Sequence, residues 1–184
     1  MENLQYFNPL KIGGALDKFI YWLQEEIKGR RVPIFILKIL IIDMIYCLFC
    51  LIILFFTDNI FSKSGQHGNI SILSYSFPFV VFMLAFLEEI IFRLPLSFFV
   101  KFSTPKTVLC FAIILSAIFG YLHGGILNIV ATQGVGGFLI CIVYLKCGGF
   151  QGKTLKPLIC STCMHALYNL TFAYSLALLG LKYM

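Results

Sequence analysis

Residues 87–93 read LEEIIFR, so two carboxylates and a guanidinium stand inside an apolar run that extends from 72 to 100. Each such ionised side chain costs about 3 kcal/mol at the centre of a lipid bilayer by insertion scales. Two further apolar stretches carry polar groups: FGYLH at 119–123, ending on His123, and HALYN at 165–169, which begins on His165 and ends on Asn169. Carboxylates beside imidazoles and a carboxamide are the equipment of hydrolysis. A glutamate in an apolar site can take a proton from water, an imidazole can align that water, and an amide or imidazole N–H can donate to a developing oxyanion. No serine or cysteine stands in a nucleophile signature with them. Two histidines and two glutamates could also hold zinc with an open water position, although the HExxH spacing is missing.

Helical spacing assigns neighbours. Glu89 and Arg93 are four apart, share a face and can pair. Glu88 is turned about 100° from Glu89 and is free to point elsewhere. His165 and Asn169 are also four apart, and Phe119 lies one turn before His123. The turn at 101–106 is centred near Thr104, with Glu88 16 residues before it and His123 19 after it. On antiparallel helices both would lie at a similar depth, roughly 25 Å from the turn. His165 enters the last helix from the same side, roughly 12 Å deep or more, so one cluster of Glu88, Glu89, His123, His165 and Asn169 is geometrically feasible.

The elements that must position these groups are long and apolar. The chain has 184 residues, 60% hydrophobic and 12% charged, against about 45–50% and about 25% in soluble domains. This composition specifies an all-α, polytopic integral membrane bundle in a lipid bilayer. Spans are expected at 33–56, 72–100, 107–123, a fourth ending near 145, and a last from about 157 to 179. The 72–100 stretch is long for one crossing, so it should tilt or break near Pro95. The glycines at 124–125 and 134–137 predict a weakened or broken helix around the fourth span. Residues 10–28 have apolar positions at helical spacing (Phe19, Ile20, Trp22, Leu23, Ile27) and read as an amphipathic helix on the membrane surface. The chain thus divides into an amphipathic segment, 1–32, and a transmembrane domain, 33–184.

Five crossings put the N-terminal segment, the 101–106 turn and the 146–156 loop on one side, together with ten of the fourteen Lys and Arg residues. By the positive-inside rule that side, and the N-terminus, is cytoplasmic. The net charge of +6 therefore marks loops beside anionic lipid rather than a nucleic-acid partner. The seven cysteines form no disulfide framework. The CxxC pairs 47/50 and 160/163 fall in apolar helices, where cysteine acts as a small hydrophobe. No cleavable signal peptide is evident. Asp43, in the first span, is assigned to structure, facing other helices, and His67 to a solvated loop.

EEIIFR fits EExxxR, FGYLH fits FxxxH and HALYN fits HxxxN. In this order, each on its own span, the three resemble the CPBP (Abi) intramembrane proteases, which include the type II CAAX prenyl endopeptidases. The resemblance covers about 72–175. It implies a peptidase acting without a cofactor on a membrane-associated protein or peptide. Glu88 would be the general base, His123 would align water, and His165 and Asn169 would form the oxyanion hole. Glu89 and Arg93 would be supporting members of the same set. It further implies a multi-pass protein of a bacterial plasma membrane, with bacteriocin self-immunity or peptide maturation as the setting. Leu94-Pro95 follows the arginine, where many members have glycine. Three alternatives stay open on the residues alone: a zinc-dependent version of the same hydrolysis, a proton- or ion-coupled transporter, and a peptide-sequestering immunity protein.

Overall fold

The computed structural model describes residues 14–56 and 76–178. Among these there are seven α-helices and no strand: α1 (Ala15–Gln24), α2 (Arg31–Phe56), α3 (Phe77–Val100), α4 (Pro105–Leu122), α5 (Ile126–Ala131), α6 (Gln133–Lys146) and α7 (Leu155–Leu178). A short 3-10 turn, Gly149–Gln151, joins α6 to α7. The expected polar loop at 57–71 with His67, the starts of the 10–28 and 72–100 stretches, and the chain beyond 178 lie outside the described residues.

Helix limits follow local chemistry. Thr104 caps α4 by accepting from the Thr107 N–H at 3.3 Å, with Pro105 at the first helical position, where a missing N–H costs nothing. Pro95 lies inside α3, which nevertheless runs unbroken; of the two expected outcomes, a break there is not the one observed. The fourth apolar stretch is interrupted. Thr132, at φ −140° and ψ −74°, separates α5 from α6. Glycines allow the close packing around this break: a Cβ on Gly120 of α4 would lie 2.7 Å from both the Asn128 carbonyl oxygen and the Gly134 nitrogen, and one on Gly134 only 1.9 Å from the Ile129 oxygen.

Helix α4 packs chiefly on α6, α3 on α7, and α6 on α7, while α2 lies across α6 and α7. Helix α2 buries Ile36, Ile39, Leu40, Asp43, Cys47 and Cys50, at spacings of three and four, and leaves the opposite apolar face exposed, as a helix against lipid would. Arg31–Ile53 and Pro105–Leu122 are each long and apolar enough to cross a membrane. Helix α3 has the length but carries Glu88, Glu89 and Arg93.

Helix α1 docks into the bundle. Ile20 and Leu23 are fully buried in the main core with Leu96, Val108, Tyr144 and Leu145, each contributing about 1.5–3 kcal/mol relative to exposure in water. Ion pairs fix both ends: Asp17 to Lys106 at 3.0 Å, and Glu26 to Lys153 and Lys156 at 2.6 and 2.7 Å. Lys146 donates to the Trp22 carbonyl and lies 4.6 Å over its ring. Thus α1 and the residues that follow it meet the 101–106 turn and the 146–156 loop at one end of the molecule.

Candidate active site

The polar groups converge where α3, α4 and α7 meet. Glu88 and Glu89 are adjacent in sequence but face different partners, as the 100° step of a helix requires. Glu89 is fully buried. Its Oε2 is 3.4 Å from Arg93 Nε, and its Oε1 accepts from His165 Nδ1 at 3.1 Å. Arg93, also fully buried, donates from Nη2 to the Gly137 carbonyl of α6 at 3.0 Å and lies 5.5 Å from the Phe119 ring centre. A buried charge is tolerated when it is paired and hydrogen-bonded; the ion pair and the bonds to His165 and Gly137 supply part of this, while Glu89 Oε2 and Arg93 Nε and Nη1 have no hydrogen-bond partner among the described residues.

Glu88 keeps a third of its side chain exposed. One oxygen is 3.5 Å from His165 Nε2, the other 3.9 Å from His123 Nε2. His123 is similarly exposed at 31%, and His165 is buried at 3%. The two imidazoles therefore differ: one opens outward beside Glu88, and the other is sealed between two carboxylates. Phe119 walls the site, its ring 4.2 Å from that of His123 and 5.7 Å from that of His165, edge-on to the latter.

His123 has a defined orientation. Its backbone N–H bonds to Gly120 O at 3.2 Å, a 3-10 contact that frees the Phe119 carbonyl from its usual helical partner. The ring Nδ1 lies 2.8 Å from that carbonyl. A carbonyl only accepts, so Nδ1 carries hydrogen, and in the neutral ring Nε2 presents a lone pair toward Glu88. The separation of 3.9 Å is too long for a direct hydrogen bond, and a water touching both atoms would sit to one side of the line between them.

Asn169 is half-buried one turn beyond His165, and its amide makes no hydrogen bond among the described residues. Asp43 is buried outside this cluster, against Gly136 of α6, where a Cβ would lie 3.3 Å from each carboxyl oxygen. The cysteines of both CxxC pairs are free thiols. No three His, Cys, Asp or Glu side chains among the described residues are grouped to hold a metal ion. Glu89 and His165 Nδ1 are committed to each other, so Glu88 and the two Nε2 atoms are the groups that face one another across the site.

Sequence spacing does not reveal two contributors. The Gly137 carbonyl, 44 residues from Arg93, carries no side-chain signal. Phe92 packs edge-on against Phe119 at 5.1 Å; its only mark in the sequence is lying one turn after Glu88.

A helical bundle with acidic and imidazole groups gathered between apolar helices is an arrangement suited to acid–base chemistry within a membrane. The family model for type II CAAX prenyl endopeptidases, Rce1-like, matches residues 70–171, and the chain belongs to that family of membrane proteases. No curated protein and no solved structure is matched by this chain.

Proposed function

We propose that this protein is a multi-pass intramembrane endopeptidase that uses Glu88 to activate water, without a metal ion, against a peptide bond of a membrane-associated protein or peptide. The observation that carries this reading is the Glu88 carboxylate, partly open to the outside and 3.5 and 3.9 Å from two imidazole Nε2 atoms. A water between Glu88 and His123 would give one proton to the carboxylate as its oxygen attacks the scissile carbonyl carbon. The oxyanion would be met by the Asn169 amide and by His165 Nε2. Since His165 Nδ1 already donates to Glu89, donation from Nε2 calls for the imidazolium form. Collapse of the tetrahedral intermediate would break the C–N bond and return the Glu88 proton to the leaving amine. Glu89 and Arg93 would hold His165 and α3 in place.

Counting α2, α3, α4, the interrupted α5–α6 pair and α7 as crossings gives five. The gathering of α1 with the basic 101–106 and 146–156 loops supports one shared side, taken as cytoplasmic by the positive-inside rule. The plasma membrane of a bacterium, with a role in bacteriocin self-immunity or peptide maturation, is the setting proposed.

The test compares membrane peptides from cells making the wild-type protein or Glu88→Gln. Peptides cleaved only by the wild type are expected, with Glu88→Gln inserted at normal levels. Normal cleavage by Glu88→Gln would overturn the base assignment.

A further inference from the structure

The end of α4 raises an accounting problem. His123 is its last, C-capping residue, and the final carbonyls of a helix have no partner within it. Four of them find donors at or beyond the cap. The Phe119 carbonyl takes the His123 ring, the Gly120 carbonyl takes the His123 N–H, and the Tyr121 carbonyl takes the N–H groups of Gly124 and Gly125. The His123 carbonyl is met from further along: Asn128 Nδ2 of α5 donates to it at 3.0 Å. The amide is itself oriented, because the Thr132 hydroxyl donates to Asn128 Oδ1 at 3.3 Å.

The turn between His123 and Asn128 is shaped for this bond. Gly125 has φ +81°, a left-handed conformation natural to glycine. A Cβ on Gly124 would lie 2.1 Å from Asn128 Nδ2, so only glycine leaves the amide its place. The bond closes the turn from His123 to Asn128, directly after the ring that faces Glu88, and the Asn128–Thr132 pair spans the last turn of α5 up to the break before α6.

We propose that Asn128 is a positioning residue, oriented by Thr132: by donating to the His123 main-chain carbonyl, it holds the turn that sets the tautomer and aim of the His123 ring. The proposal rests on the reading of His123 as the water-aligning group, and it adds a residue outside the three sequence motifs. Loss of this donor would let the turn move, and the ring Nδ1 would lose its fixed place on the Phe119 carbonyl.

The test uses full-length protein in lipid nanodiscs with 15N-labelled histidine. The chain has three histidines, and substitution of His67 and of His123 by Gln assigns the signals. Asn128→Asp keeps the shape and the acceptor but removes the donor; Thr132→Val removes the orienting hydroxyl at nearly constant volume. In the wild type, the neutral His123 ring is expected as a single Nδ1–H tautomer. In Asn128→Asp it is expected to shift toward a tautomer mixture, with a smaller shift in the same direction for Thr132→Val and none for His165. Cleavage of the peptides lost in Glu88→Gln cells is expected to fall about 10- to 100-fold in Asn128→Asp, the scale of a small misplacement of a catalytic group. An unchanged His123 spectrum in Asn128→Asp overturns the proposal. If that variant does not fold, an unchanged spectrum in Thr132→Val does so. The ring signals report positioning even if Glu88→Gln cleaves normally, so failure of the peptidase reading and failure of this one are separable.

Discussion

Glu89 and His165, 76 residues apart in the chain, are joined by a 3.1 Å hydrogen bond between buried groups. This single contact ties α3 to α7 and turns the other imidazole nitrogen toward Glu88. The two adjacent glutamates are thus unequal: one is sealed into the framework, and the other remains accessible.

The sealed glutamate makes Arg93 a stability residue. Arg93→Met is expected to cost about 3–5 kcal/mol, because the buried Glu89 would lose its guanidinium partner and keep only the His165 hydrogen bond. Replacing both residues with apolar ones should recover much of the loss. Thermal unfolding in detergent, read by circular dichroism, checks both. A double variant no more stable than Arg93→Met would show that the cost does not come from the stranded carboxylate.

His165 and Asn169 are tested by rate. His165→Ala and Asn169→Ala are each expected to lower turnover by roughly 100-fold, the effect of losing one oxyanion donor. Asn169 has no hydrogen bond among the described residues, so its removal should leave stability near that of the wild type. Wild-type turnover in Asn169→Ala would remove it from the site.

Metal dependence is decided by chelation. Purified protein treated with a strong zinc chelator and dialysed is expected to keep full activity. Loss of activity restored by zinc alone would replace the glutamate mechanism with a metal-assisted one.

Docking of α1 should respond to acid. Burial acts to raise the Glu26 carboxyl, but the hydrogen bonds from Lys153 and Lys156 outweigh it, so the group sits below its ordinary value of 4.5. A depressed folded-state value stabilises the docked state above the unfolded value, and that contribution is lost as pH falls through the folded one. Docking should therefore hold from neutral pH to about 5 and weaken below about 4.5. The chain's one tryptophan, Trp22, reports it, since it lies on α1 under Lys146. Its emission should change in that acid range, and Glu26→Gln should reduce the change, the remainder coming from Asp17, whose carboxyl the hydrogen bond from Lys106 likewise holds low. A transition unaltered by Glu26→Gln would assign it to another group.

Much of this arrangement was legible from spacing because helices in lipid are long and apolar and their polar groups stand out. The limits of α2 and α4, the interruption marked by the glycines near 124 and 134, and the pairing of Glu89 with Arg93 all follow from run length and the 3.6-residue period. The docking of α1 was not legible, since an apolar stripe such as Ile20–Leu23 suits a lipid surface and a protein core equally. Nor was the continuity of α3 through Pro95, which depends on tertiary packing. Contacts made by main-chain atoms, such as Gly137 to Arg93 and His123 to Asn128, leave little trace in side-chain pattern.

The glycine contacts of α4 with the α5–α6 break bear on how this protein can change. At Gly120 and Gly134, main chain lies against main chain, and mutation there has no side chain to exchange for a different size or polarity. Any side chain added at either position must displace backbone, so this seam is closed to adaptation.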